Sequence, residues 1–419
     1  MPTAGQPTTG NGQPIGQARA PARGAPGASF AGPAAGGAPT PLSVHANPPF
    51  SSAPPAAPPR LEAVDVLRGF ALLGIWLVHF LTSFAGQRGD GLGPSSPMSA
   101  GTAAVRLSVD ALVAGKFFSI FSLLFGLGFA LQLRSAGAKG QPYAARFVWR
   151  LVLLGALGWL HRLLFEVEIL HIYAAVGLLL VLVHHWRNAW LLLASALLFI
   201  GGLGFSYWLA PATALLVRAF GAAAGNFLAG EISGFRVFSV AALFLLGLYL
   251  GRRNAFADTA FSRTFFSRVL LASAVAFITT RLVYSCMPLV LGPGAGSPLR
   301  FYDVFFTLKS LAVSALYVAS VVLLYRRPFG RRALAWLGPL GRMGLTTYVL
   351  QSCCLLLFAW GARRYVGPAP LPLPAVLGAA ALLFAAQAAA AHAWLRRFRY
   401  GPLEWLWRSA TYRQWQQLR

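Results

Sequence analysis

Acidic side chains are scarce in this chain: 10 Asp and Glu stand against 35 Lys and Arg in 419 residues, for a formal net charge of +25. Charged residues of both signs make up only 11% of the sequence, where a soluble domain has about 25%. That deficit argues against a chain wrapped entirely in water. Cysteine is scarce too. Cys286, Cys353 and Cys354 all fall inside apolar runs, without the spacing of a disulfide framework or a metal site. The seven histidines contain no HExxH pattern, so no metal is expected.

What the chain has in quantity is apolar surface: 57% of its residues are hydrophobic and the mean hydropathy is +0.62. About ten windows approach the ~20 apolar residues that a helix needs to cross a bilayer. They lie near 67–86, 114–134, 148–165, 169–185, 189–210, 236–251, 267–292, 302–325, 341–361 and 374–395. Backbone groups facing lipid must be satisfied within their own helix, so the expected fold is an all-α polytopic membrane bundle.

The positive charge falls in alternate loops. Arg134, Lys139, Arg146 and Arg150 follow the second window; Arg252, Arg253, Arg263 and Arg268 follow the sixth; Arg326, Arg327, Arg331 and Arg332 follow the eighth; Arg396, Arg397 and Arg399 follow the last. Such alternation predicts both termini in the cytoplasm, with an even number of spans. The expected partner of these arginines is anionic lipid, and nucleic acid is not required. Residues 1–59 hold 14 of the 28 prolines, nine glycines and no acidic residue, which reads as a disordered arm. The bundle is expected over 60–397, with an interfacial helix over 398–419. The segment over 211–235 is apolar but broken by glycine, and fits an amphipathic or re-entrant piece.

Several ionisable groups lie inside or beside the apolar windows. In the first, Asp65, Arg68 and His79 share one helix face, with His79 roughly 16 Å beyond Arg68 at 1.5 Å per residue. A histidine at that depth needs a bundle interior or a wet cavity. Lys116 opens the second window, and Glu168 and His171 open the fourth, where a carboxylate and an imidazole three residues apart can share a proton. Arg281 and Lys309 are candidate contacts for an anionic substrate or lipid, and Arg342 and Gln351 belong to a polar run in the ninth window.

"DVLRGFALLGIWLVHF" (65–80) resembles the opening motif of the YeiB-type bacterial membrane proteins. The resemblance continues in order through "KFFSIFSLLFGLGFALQ" (116–132), "EILHIYA" (168–174), "GRMGLTTYVLQS" (341–352) and "FRYGPLEWLWRSATY" (398–412). The opening motif is also similar to that of the wider transmembrane acyltransferase superfamily. His79 stands where YeiB-type relatives usually carry Asn, Val167 and Glu168 where they carry Gly and Asp, and Thr347 where they carry Asn. The resemblance implies transfer of an acyl group from cytosolic acetyl-CoA or another acyl-CoA to a small-molecule, glycan or lipid acceptor beyond the membrane, with no tightly bound cofactor. Asp65, Arg68, Lys116, Arg281, Lys309, Arg342 and Gln351 are then the expected substrate contacts. Arg68, Arg399 and Arg408 would hold the donor's phosphates, and His79, Glu168 and His171 would move protons. The alternative is a secondary transporter of a small anionic solute, against which no clear internal repeat is visible. The sequence sets no oligomeric state.

Overall fold

The structure is a computed structural model that describes residues 61–84, 143–164, 168–203, 236–291, 299–366 and 371–419, together with most of 104–140. The expected arm over 1–59, most of the segment over 211–235, Lys139 and Val167 lie outside the described residues.

Thirteen helices and one 3₁₀ turn carry the described chain: α1 (Glu62–Phe84), α2 (Phe117–Gly137), α3 (Ala144–Arg162), α4 (Leu170–Val183), α5 (Asn188–Leu203), α6 (Arg236–Arg252), α7 (Ala260–Leu291), α8 (Leu299–Tyr325), α9 (Pro328–Leu334), a 3₁₀ turn (Ala335–Leu337), α10 (Gly338–Arg342), α11 (Gly344–Tyr365), α12 (Leu373–Arg397) and α13 (Pro402–Tyr412). No strand occurs among the described residues. All of the ten expected windows coincide with helices, but six are long and apolar enough to cross a membrane by length and composition alone: α1, α2, α7, α8, α11 and α12. The other four fall short for separate reasons. At 14 residues α4 rises about 21 Å, α5 and α6 are also short, and α3 carries Arg146, Arg150, His161 and Arg162.

Two glycine contacts set the middle of the bundle. A Cβ on Gly126 would meet the carbonyl of Phe244, and one on Gly247 would meet the carbonyl of Leu123, so α2 and α6 approach at backbone distance. The sequence of α6, RVFSVAALFLLGLYLGR, is apolar all round because the helix is buried on most sides. Its opposite is α7, where Leu271, Val275, Ile278 and Leu282, spaced four, three and four apart, are exposed and form one lipid-facing stripe. The central α1 is fastened to α12 by the Trp76 indole N–H, which donates to the Ala380 carbonyl at 2.8 Å. Trp76 and Phe80 are buried in the largest core cluster.

Candidate functional site

One backbone approach builds the entrance to the site. Gly341 of α10 lies against the Asp65 carbonyl so closely that any Cβ would overlap it, and Arg342 and Arg68 line the same cavity. Arg68 donates to the Asp65 carboxylate at 3.1 Å, and Asp65 is buried. The ion pair fixes the guanidinium over α2, within 3.6 Å of the position that a Gly128 side chain would take.

From this entrance a cavity of about 340 Å³ runs inward between α1, α2, α3, α4, α10, α11 and α13. Its mouth holds Arg68, Arg150, Arg342, Gln132, Glu404 and Trp407. Its walls are aromatic: Phe125 stacks on Phe244 at 4.5 Å between centroids, and Phe129 meets Phe147 edge-on at 4.5 Å. The inner end is formed by Ile75, Ile169, Tyr173 and Tyr348. The Tyr173 hydroxyl lies 2.7 Å from Ser122 Oγ and donates to the Phe118 carbonyl at 3.0 Å.

Behind Tyr348 lies a buried acid–base cluster. Glu168 is 1% exposed, and its carboxylate pairs with His161 Nδ1 from α3. The Tyr348 hydroxyl donates to Glu168 Oε2 at 3.3 Å. Glu168 Oε1 accepts the Ile169 N–H at 2.8 Å and also the Leu170 N–H, satisfying two donors at the start of α4. Past Ile75 and Tyr348, a second space of about 10 Å³ is lined by Trp76, His79, Gln351 and Ser352. His79 lies within electrostatic reach of Glu168 and His161. Because α1 is unbroken from Arg68 to His79, the two are separated by about 16 Å of helix rise.

The outer wall of the mouth comes from α13. Glu404 Oε1 accepts the backbone N–H groups of Leu345 (2.6 Å) and Thr346 (3.0 Å), and Oε2 accepts the Thr346 hydroxyl at 2.6 Å. A carboxylate from one helix thus caps another, at the end where the helix dipole favours negative charge. Trp407 takes Arg150 on its face at 5.9 Å, and Trp149 donates to the Ala410 carbonyl at 3.0 Å.

Of the residues singled out from the sequence, Arg68 and Arg342 line the cavity, Asp65 holds Arg68, and His79 and Gln351 line the small inner space. Gln351 donates to the Leu72 carbonyl at 3.3 Å. Glu168 reaches the cluster from just before α4, so it does not share a helical face with His171. His171 instead packs its ring near Trp159 at 5.8 Å. Lys116 is buried, donates to the Ala114 carbonyl at 2.5 Å, and converges with Lys309 on the Phe306 ring, each ammonium 5.2 Å from its centroid. Neither lysine lines the cavity. Arg281 is exposed on the peripheral α7. Arg399 is exposed and Arg408 stacks on Tyr400 at 4.5 Å; neither borders the cavity, and Arg150 takes the place expected for them. His161, Tyr348, Glu404 and Arg150 are the additions. Among the described residues, no group of three or more His, Cys, Asp or Glu is placed to hold a metal ion.

Residues 250–414 match the family described as "Protein of unknown function (DUF418)". The chain is 28% identical over 380 residues to an "uncharacterized 39.9 kDa protein in amylase 3′ region" of Bacillus acidopullulyticus, covering 86% of this chain and 96% of that one. It is 28% identical over 401 residues to YxaH of Bacillus subtilis (strain 168), covering 85% and 95%. It is 27% identical over 402 residues to YeiB of Escherichia coli (strain K12), covering 84% and 97%. No solved structure matches.

Proposed function

We propose, from the premise that this chain is a YeiB-type membrane protein, that it transfers an acyl group from a cytosolic acyl-CoA to an acceptor reaching in from the far side of the membrane. The observation that carries the reading is one continuous cavity with three arginines at its mouth and a buried Glu–His–Tyr cluster behind its inner end. Arginine suits phosphate by bidentate hydrogen bonding. A pantetheine arm is long and thin, and phosphates held at Arg68, Arg150 and Arg342 deliver its thioester toward Tyr348 and His79.

Ile75 and Tyr348 must part for the acceptor to reach the thioester; His79 then takes the proton from an acceptor hydroxyl or amine as the acceptor attacks the thioester carbon. The carbon–sulfur bond breaks, the acyl group stays on the acceptor, and the CoA thiolate leaves with a proton returned from the site. The Tyr348 hydroxyl, which donates its one proton to Glu168 in the resting site, turns that proton to the developing oxyanion, and the Glu168–His161 pair keeps the ring's hydroxyl within reach. In this reading α1 to α8, α11 and α12 make ten crossings, with the arginine mouth and both termini on the cytoplasmic side of a bacterial inner membrane.

The test is the thermal stability of the detergent-purified chain with and without acetyl-CoA. A ligand at about a hundred times its dissociation constant stabilises by roughly 2.7 kcal/mol. The upward shift is expected in wild type and in Arg399→Ala, and is expected to vanish in Arg68→Ala. No shift over a wide concentration range overturns the acyl-donor reading. It then favours a carrier of a small anionic solute bound by the same arginines, to be followed by uptake assays.

A further inference from the structure

A second cavity, which shares no lining residue with the one above, lies at the carboxyl end of α12. Its volume is about 410 Å³, and Ala390, Ala393, Trp394, Arg396, Arg397 and Phe398 line it. Ala390, Ala393 and Arg397 follow one another at three and four residues along the helix, so they share a face, and all three are exposed. The methyl side chains leave a shallow trough running toward the apolar part of the helix. At its polar end stand two guanidinium groups with no ion-pair partner among the described residues. A single arginine would offset the roughly half-unit negative charge of a helix carboxyl terminus. Two of them leave the trough positive.

The rim is built rather than loose. Trp394 and Phe398 lie with centroids 4.3 Å apart, the Trp394 indole donates to the Tyr400 carbonyl at 2.8 Å, and Arg419 covers Phe398 at 5.5 Å. The Arg399 N–H donates to the Leu418 carbonyl at 3.0 Å, tying the chain's last residues to the same corner.

We propose that the trough at the end of α12 binds one anionic glycerophospholipid, its phosphate on Arg396 and Arg397 and an acyl chain along Ala390 and Ala393. Charge complementarity selects an anionic head, and the apolar trough continuous with it selects a lipid over a free phosphate. The aromatic rim sits where tryptophan is favoured, at the boundary between headgroups and hydrocarbon. The occupied trough also adjoins the Arg399–Gly401 link to α13, whose Glu404 and Trp407 wall the large cavity.

The experiment is native mass spectrometry of the detergent-purified full chain titrated with phosphatidylglycerol or phosphatidylcholine, with thermal shift in parallel. Wild type is expected to retain phosphatidylglycerol, and to be stabilised by it, but not phosphatidylcholine or inorganic phosphate. The double variant Arg396→Gln/Arg397→Gln should bind it roughly tenfold more weakly or worse. Ala393→Leu, which keeps both charges but fills the trough, should lose retention as well. Equal retention of both lipids, an unchanged double variant, or full binding to Ala393→Leu would each overturn the site. A stabilisation by inorganic phosphate alone would overturn the lipid assignment. Acetyl-CoA binding is read independently in the same samples, so failure here leaves the large cavity's reading intact.

Discussion

Tyr348 stands at the meeting of the two inner spaces: it closes the large cavity, lines the small one and donates to Glu168. Removing only its hydroxyl is therefore the most informative single change. On the proposed mechanism, Tyr348→Phe should lower the acyl-transfer rate by about tenfold to a hundredfold with little change in stability, while His79→Ala, which removes the proposed base, should cost about 10²–10⁴-fold. His171→Ala, by contrast, should leave the rate within about twofold, because its ring packs by Trp159 outside the cavity. Initial-rate assays on the three variants check this, and a His171 variant as slow as the His79 variant would displace the Glu168–His161 assignment. At this scale the sequence was legible where covalent geometry fixes the answer. Arg68 and His79 ride one helix, so their separation follows from helix rise alone. It was not legible where partners meet by packing. His161 lies seven residues before Glu168 with a turn between them, and nothing in its neighbours marks it as that carboxylate's partner.

Helices carry a second kind of information, their neighbours, which composition alone does not reveal. The runs that became α6 and α7 are both apolar, yet one is enclosed by the bundle and the other presents Leu271 and Leu282 outward. In lipid, both environments reward the same side chains, so periodicity cannot separate them. The close pairing of α2 and α6 shows only in the structure, where Gly126 meets the Phe244 carbonyl and Gly247 that of Leu123. The C-terminal segment reads from the sequence as an interfacial helix over 398–419. Its Glu404 carboxylate caps α11, because three donors at that helix start satisfy both carboxylate oxygens. Glu404→Gln should accordingly cost about 1–2 kcal/mol, visible as a lower Tm in detergent, and should weaken acyl-CoA binding by loosening the mouth. An unchanged Tm would show that the cap is dispensable.

For the molecule as a whole, the all-helical membrane character was plain from hydropathy, whereas the number of crossings depends on short helices that only packing stabilises. The alternating arginines predict that both ends face the cytoplasm. Reporter fusions at residue 1 and residue 419 should both be active only as cytoplasmic reporters, and opposite sidedness would require an odd number of crossings. The partition made by Ile75 and Tyr348 has a consequence at this scale. Beyond it the space is about 10 Å³, room for no more than a single water. Among the described residues the cavity therefore does not continue past the partition as a file of water. In the proposed membrane setting the voltage, worth about 2.3 kcal/mol per elementary charge per 100 mV, would fall largely across that plug. A proton passed between Glu168, His161 and His79 would move within that field, so turnover in energised vesicles should respond to voltage where turnover in detergent cannot.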